Sequence, residues 1–454
     1  MLTGLVMANS QLKLFYWSLT AALAGFLFGF DTVVISGAEK TIEELWELNP
    51  WQHGFAMSSA LIGMVIGSLF GGLPTESFGR KKILLSIGIL YFVSAIWSAL
   101  ANDLHSFSIA RFLGGIGVGV STVAAPLYIS EISPAKCRGR LAGLFQFNIV
   151  FGILIAFISN TLLSEVGEHS WRWMLGVEAL PAVIYSVLCF TLPESPRWLL
   201  LRANKKDKEE GLKVLELINS TASQEQLSTM AAEICEPTHT KKSTESFWST
   251  KSLKKPILLA FLVAFFNQLS GINAILYFAP RIFEMTGLGK EAALLQSVGI
   301  GITNLIFTFF GLWLIDFLGR RTLLTIGSFG YIASLGLCSW AFYSGNHGIV
   351  PVCIFAFIAA HAVGQGAVIW VFISEIFPNQ HRAAGQSFGT GTHWVFAALL
   401  TFFFPIMVEK FHPGAVFAFF AFMMALQLLW VKTMVPETKG RSLEELEKEL
   451  GVKP

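Results

Sequence analysis

Apolar stretches near the ~20 residues that a helix needs to cross a bilayer recur twelve times along the chain, which leaves few folds open. They fall at about 15–37, 52–73, 83–101, 105–129, 141–163, 172–192, 257–281, 291–315, 322–344, 349–374, 383–408 and 413–434. Inside a bilayer the backbone must satisfy its own polar groups, so segments of this length are read as helices. Composition agrees: 54% of the residues are hydrophobic and 14% charged, too little charge to cover a soluble protein of 454 residues. The 41 Phe and 13 Trp suit surfaces facing acyl chains and membrane interfaces. The first apolar stretch is too long for a signal-peptide core and carries Asp31, so it is read as a membrane helix. Cys137, Cys189, Cys235, Cys338 and Cys353 are odd in number and lack metal-ligand spacing, so neither a disulfide framework nor a metal site is expected.

One long polar segment, 193–256, separates a six-helix half at 1–192 from a second at 257–434, which a tail at 435–454 follows. Within that linker Leu212, Leu215 and Ile218 recur at helical spacing and predict an amphipathic helix over 205–219. With the N-terminus inside, Arg80, Lys81, Lys82, Lys136, Arg138, Arg140, Arg320, Arg321 and Arg382 share one side with the basic linker. The other side receives only Lys40, Arg172, Arg281, Lys290 and Lys410, and its first loop is acidic, with Glu39, Glu43, Glu44 and Glu47. The positive-inside rule then predicts that both termini are cytoplasmic. The basic residues are sorted by loop rather than clustered, so the net charge of +2 points to no nucleic-acid partner.

Three strings recur at nearly one spacing. GGLPTESFGRKK at 71–82 returns as GLWLIDFLGRRT at 311–322, SEISPAKCRGR at 130–140 as SEIFPNQHRAA at 374–384, and PESPRWL at 193–199 as PETKGRSL at 436–443. A common offset of about 240 residues makes the halves duplicates, and because both start on the same side the relating axis runs along the membrane normal. Small-residue ridges, Gly63, Gly67 and Gly71, Gly25 with Gly29, and Gly115 with Gly119, predict helices packed backbone to backbone.

Together with GFDTVVISG at 29–37, RFLGGIGVG at 111–119, WRWMLGVEALPA at 171–182 and QLSGINAILYF at 268–278, these motifs span the chain. In order and spacing it resembles the sugar porter family of the major facilitator superfamily. The resemblance implies an all-α membrane protein of twelve transmembrane helices in two halves, a rocker-switch transporter with a central monosaccharide site. It further implies no cofactor, a proton as coupling ion, no enzymatic activity, and a multi-pass monomer in a plasma membrane, the inner membrane if bacterial. The sequence departs from the family pattern at Glu76-Ser77, at Phe317, at Asn267 before Gln268, and at Ala367 after Gly366. No Walker A string is present.

Charges inside a bilayer cost ~2.5–3.5 kcal/mol on insertion scales and mark function. Counted from the expected outer helix ends, Asp31, Arg111 and Glu178 all lie about 9 Å deep at 1.5 Å per residue, which predicts one Arg between two carboxylates. The resemblance gives Asp31 the proton-site role with Arg111 as partner; a fixed tether, or a structural role for Glu178, fits the residues as well. Sugar hydroxyls both donate and accept, as amides do. The amides Gln146, Asn267, Gln268, Asn273 and Asn304 stand in apolar surroundings, and the resemblance maps them onto sugar-contacting positions; interhelical hydrogen bonding is their alternative. Trp370 and Trp394 offer flat apolar faces for a pyranose, Phe28 and Gly366 line the same expected cavity, and His393 stands where relatives often have glutamine. His361 is read as core. Ile153, apolar where some pentose-carrying relatives have glutamine, leans toward a hexose. Gly271 is expected to bend helix 7, with Tyr277 and Phe278 as the outer gate. At the inner edge Arg80, Glu131, Arg138 and Glu194, and their counterparts Arg320, Glu375, Arg382 and Glu437, are expected to pair across the halves as a latch; a solvated charge belt is the alternative. Three functions are carried forward: a proton–sugar symporter, a facilitative uniporter and a transporter-like sensor.

Overall fold

The structure is a computed structural model that describes residues 2–134, 137–202, 204–219, 222–235, 247–248, 250–378, 380–441 and 443–450, with the side chains of 2–10, 138–139, 251, 443–444 and 447 left out. Every regular element among the described residues is helical. Among the described residues twelve helices are long and apolar enough to cross a membrane: spans 1 to 6 are Gln11–Gly37, Pro50–Phe70, Arg80–Leu100, Leu104–Ile132, Arg140–Leu163 and Ser170–Phe190. Spans 7 to 12 are Lys254–Tyr277, Lys290–Leu318, Arg320–Ser344, His347–Glu375, Arg382–Lys410 and Pro413–Met434. The helices run past the hydropathy limits where polar residues start them. Span 2 begins at Pro50 because the Asn49 side chain accepts the Trp51 and Gln52 N–H groups while Gln52 Oε1 accepts that of Asn49, a capping box.

An even number of spans puts both termini on one face, called here the termini face; the other is the far face. Spans 1 and 5, 2 and 4, and 3 and 6 pack together, and the same pairings recur six spans on as 7 and 11, 8 and 10, and 9 and 12. The two halves meet through spans 2 and 11 and through spans 5 and 8, which are again related by that shift. The glycine ridges explain how closely the helices approach: a Cβ on Gly67 would meet the backbone of Ile116 and Gly119, and one on Gly115 that of Ala60. Large apolar side chains such as Leu73, Leu100, Phe190, Trp313 and Phe422 stay mostly exposed, as lipid-facing positions require.

Three spans are broken. Span 6 loosens around Val177 and Glu178, between short helices Ser170–Gly176 and Ala179–Phe190. Span 7 stops at Leu269, turns through Gly271 at φ +89°, and resumes as Ile272–Tyr277, so the bend lies where a left-handed residue is needed. Span 10 breaks at Gly364, between Val350–Val363 and Gln365–Glu375. In the linker, helices Lys205–Ile218 and Gln224–Cys235 form. Leu212 corrects the expected stripe: it is exposed, and Gly211 and Val214 join Leu215 and Ile218 on the buried face, because the helix rests Gly211 on Leu199 and Leu200.

Candidate transport site

The charged centre lies among spans 1, 4 and 6. Arg111 Nη1 sits 2.5 Å from Asp31 Oδ1, and Nη2 donates to the Asp31 carbonyl at 3.0 Å. Both side chains are almost wholly enclosed, at 3% and 1% exposure, so this ion pair has little water to screen it. Glu178 is equally buried and near enough for its charge to act on both partners, yet it forms no ion pair with Arg111. The expected bridge of one Arg between two carboxylates is thus corrected to a single contact, because the second guanidinium bond goes to the backbone of Asp31 itself. Asp31 Oδ2 and Glu178 Oε1 each remain without a hydrogen-bond partner, as does the hydroxyl of Tyr277 from the second half, whose ring feels the charge of both Arg111 and Asp31. Gly114 lets span 3 pack closely on span 4, since a Cβ there would strike Ser94 Oγ.

A second cluster forms at the breaks in spans 7 and 10. Gln268 Nε2 donates to Asn267 Oδ1 at 3.1 Å and lies 3.1 and 3.3 Å from the ring nitrogens of His393. The amide N–H makes the nearer imidazole nitrogen an acceptor. The His393 ring then stacks into a chain of aromatic faces, 4.9 Å from Trp370 and 4.7 Å from Trp394, with Phe28 of span 1 5.6 Å beyond Trp394. Spans 1, 7, 10 and 11 therefore bring Phe28, Asn267, Gln268, Trp370, His393 and Trp394 together. Gln268 Oε1, Asn273 Nδ2 and Trp394 Nε1 are buried without partners, an unusual density of unspent hydrogen-bonding groups. Among the described residues, the other expected ones are not hydrogen-bonded to this cluster: Asn304 accepts from Thr308 at 3.4 Å, Gly366 rests on His361, and Gln146 stands half-buried on span 5. His361 is satisfied by the Tyr331 hydroxyl at 2.7 Å, as a core residue is.

The Sugar (and other) transporter family matches residues 17–450. An arabinose-proton symporter of Bacillus subtilis is 37% identical over 95% of this chain and 94% of its own. A glucose transporter, GlcP, of Staphylococcus epidermidis is 34% identical over 94% and 95%. Among solved structures, the inward open conformation of the xylose transporter XylE from Escherichia coli superposes with a TM-score of 0.85 at 31% identity, over 96% of this chain and 99% of that one. The chain belongs to the sugar transporter family. It is a transporter with the major facilitator fold, not an enzyme.

The duplicated termini-face motifs of this transporter have one geometry, made twice. Arg80 binds Glu131 in bidentate fashion at 2.7 and 2.8 Å and reaches the Thr75 carbonyl; Arg320 does the same with Glu375 at 2.8 and 3.1 Å and with the Ile315 carbonyl. Glu194 accepts the N–H groups of Arg80 and Lys81 at the start of span 3, as Glu437 accepts those of Arg320 and Arg321 at the start of span 9. These pairs lie within each half; among the described residues none crosses between the halves on this face, as the expected latch would, while the far face is the one held shut. The reason is local: an unpaired helix N-terminus is a ready anion site, and it holds each Glu against its own half. Among the described residues Arg382 Nε has no hydrogen-bond partner, and the Arg138 side chain lies outside them. Gly79 and Gly319, at φ +96° and +86°, make the arrangement possible, because a Cβ on either would strike the capping carboxylate.

Charged contacts between the halves lie instead on the far face. Arg281, in the short helix Ala279–Glu284 after span 7, lies 2.7 Å from Glu43 and 3.4 Å from Glu39 of the helix Glu39–Leu45, and Lys40 meets Glu284 at 2.5 Å. Phe278 is fully buried between His53 of span 2, at 5.8 Å, and Phe404 of span 11, at 4.8 Å. The far face is therefore shut. Sequence reasoning places these charges on the same face but misses that they pair; an Arg just after span 7, on the face that also carries four Glu residues after span 1, is the signal available.

Proposed function

We propose that this chain is a plasma-membrane monosaccharide–proton symporter, with both termini in the cytoplasm and a hexose as its cargo. The observation that carries the reading is the enclosed Arg111–Asp31 pair with Glu178 beside it. Two carboxylates and one guanidinium leave an unbalanced negative charge in a low-dielectric site, and a single proton neutralises it. Tyr277 brings the second half against this centre, so rocking the halves apart changes the solvation of Asp31 and with it the proton affinity. Asn267, Gln268, Asn273 and His393 supply amide and imidazole groups for sugar hydroxyls, and Trp370, Trp394 and Phe28 supply apolar faces for the ring. Ile153, a buried hydrocarbon wall on span 5, supports a hexose over a pentose. Similarity to an arabinose-proton symporter supports proton coupling. Hydroxyl-rich cargo and proton movement are tested together by counterflow in proteoliposomes with labelled hexoses, pentoses and polyols and an internal pH dye. Sugar-dependent proton entry for a hexose is the expected result. Sugar exchange without proton movement would identify a uniporter, and preference for a pentose would reject the hexose.

A further inference from the structure

His53, Glu39, Glu43 and Arg281 form a charged cluster on the far face, outside the groups assigned to transport. His53 is wholly buried, and its two ring nitrogens face two different carboxylates, Nε2 3.1 Å from Glu39 Oε2 and Nδ1 3.4 Å from Glu43 Oε1. Neither nitrogen is aligned for a directed hydrogen bond, so the contacts act through charge. A neutral imidazole has one N–H and one lone pair, and here that lone pair would point at a carboxylate oxygen; only the imidazolium suits both neighbours. Charge leads to the same point. Glu39 and Glu43 against Arg281 leave one negative charge uncompensated in a nearly closed place, and one proton on His53 removes it.

The cluster joins the halves. His53, Glu39 and Glu43 belong to the first half, Arg281 to the second, and the neighbouring Lys40–Glu284 pair also crosses between them. Among the charged groups around it, Glu44, Glu284, Lys40 and Lys290 line a cavity of 440 Å³ together with Glu39 and Arg281. Span 11 faces this part of span 2 with Phe402 and Phe404, span 7 contributes Phe278, and Arg111 on span 4 is committed to Asp31. Burial raises the Glu43 carboxyl, but charged His53, followed by Arg281, outweighs it and brings it down to about 2, so Glu43 stays ionised.

We infer that His53 is a proton-operated latch of the far face: protonated, it holds Glu39 and Glu43 in register for Arg281 and keeps the halves closed, and deprotonated, it releases them. The device is separate from Asp31. The test is made in detergent, where both faces see one pH, so its outcome does not depend on transport. Spin labels are placed at Leu45→Cys and Gly289→Cys, one in each half, in a background without native cysteines; Leu45 is exposed and a Cβ at Gly289 meets nothing. Interspin distances are recorded in EDTA between about pH 5.5 and pH 8, the range over which an imidazole titrates. One short-distance population is expected at the acid end, with a longer one growing at least threefold as pH rises. His53→Gln should abolish this response, while Asp31→Asn should leave it. Glu43→Gln, which balances the cluster without a proton, should keep the face closed throughout. A pH response that survives His53→Gln, vanishes in Asp31→Asn, or needs added Zn²⁺ would overturn the latch, as would a wild-type distance that ignores pH.

Discussion

Replacing Asp31 by Asn separates proton coupling from every other role of the site. The substitution removes the titratable group and keeps the backbone carbonyl that accepts from Arg111 Nη2 at 3.0 Å. Glu178, already close enough to feel Arg111, remains to balance the guanidinium, so the buried cation is not stranded and the protein should fold. Sugar binding and counterflow need no net proton movement and should stay within about threefold of wild type. Uphill accumulation should disappear. One charge crossing 100 mV is worth about 2.3 kcal/mol, which at ~1.4 kcal/mol per decade is roughly a fiftyfold concentration ratio. The assay is uptake of labelled sugar into vesicles with an imposed pH gradient and membrane potential, followed to steady state, with counterflow measured on the same preparation. If the Asn variant still concentrates sugar, or if wild-type accumulation ignores the gradient, the proton is carried elsewhere or not at all. If binding, exchange and expression fall together, Asp31 is a tether between spans 1 and 4.

Three further outcomes are expected. Gln268→Ala, which removes an amide from the span 7 cluster, should weaken sugar binding about ten- to a hundredfold by calorimetry, the effect of ~1–3 kcal/mol from a lost polar contact; unchanged affinity would take Gln268 out of the site. Gly319→Ala places a side chain at φ +86°, ψ +166°, a conformation that only glycine adopts readily, and against Glu437, so thermal unfolding should report a loss of about 1–3 kcal/mol, with Gly79→Ala behaving alike through Glu194. Glu43, held down at about 2, contributes stability that is present above the ordinary carboxylate range near pH 4.5 and fades as pH falls through about 2. The wild type should therefore outlast Glu43→Gln by about 1–2 kcal/mol at pH 6, after allowance for partial exposure, with the difference shrinking in acid; a gap in melting temperature as large at pH 2 as at pH 6 would contradict this.

How much of the site is legible in the sequence differs from residue to residue. Asp31 and Arg111 can be matched from the sequence because a fixed rise per residue turns position in a helix into depth. The same count puts Glu178 at their level but carries no information on rotation about span 6, and the fold sets it beside the pair without an ion pair to Arg111. Gly271 announces the bend in span 7, whereas hydropathy runs unbroken through the break of span 10 at Gly364, although Gly364, Gln365 and Gly366 lie together. Amides are recognisable as candidates, but only packing separates Gln268, which reaches both Asn267 and His393, from Asn304, whose partner is Thr308 on its own span.

Membrane spans, their number and the duplication were determined by the sequence alone. Hydropathy and repeat spacing are properties of the chain read in one dimension, and a bilayer allows a long apolar segment little besides a helix. Partnership between charges was decided by tertiary structure. Counting Lys and Arg by loop places Glu194 and Glu437 on the correct face yet suggests partners across the halves, and the folded protein gives them the N-termini of spans 3 and 9 instead. It likewise brings Arg281 to Glu39 and Glu43, more than two hundred residues earlier, and folds His53 between those two carboxylates. Coulomb interactions fall off over a few ångströms in a screened medium, so which charges matter to one another is settled only when the helices have packed.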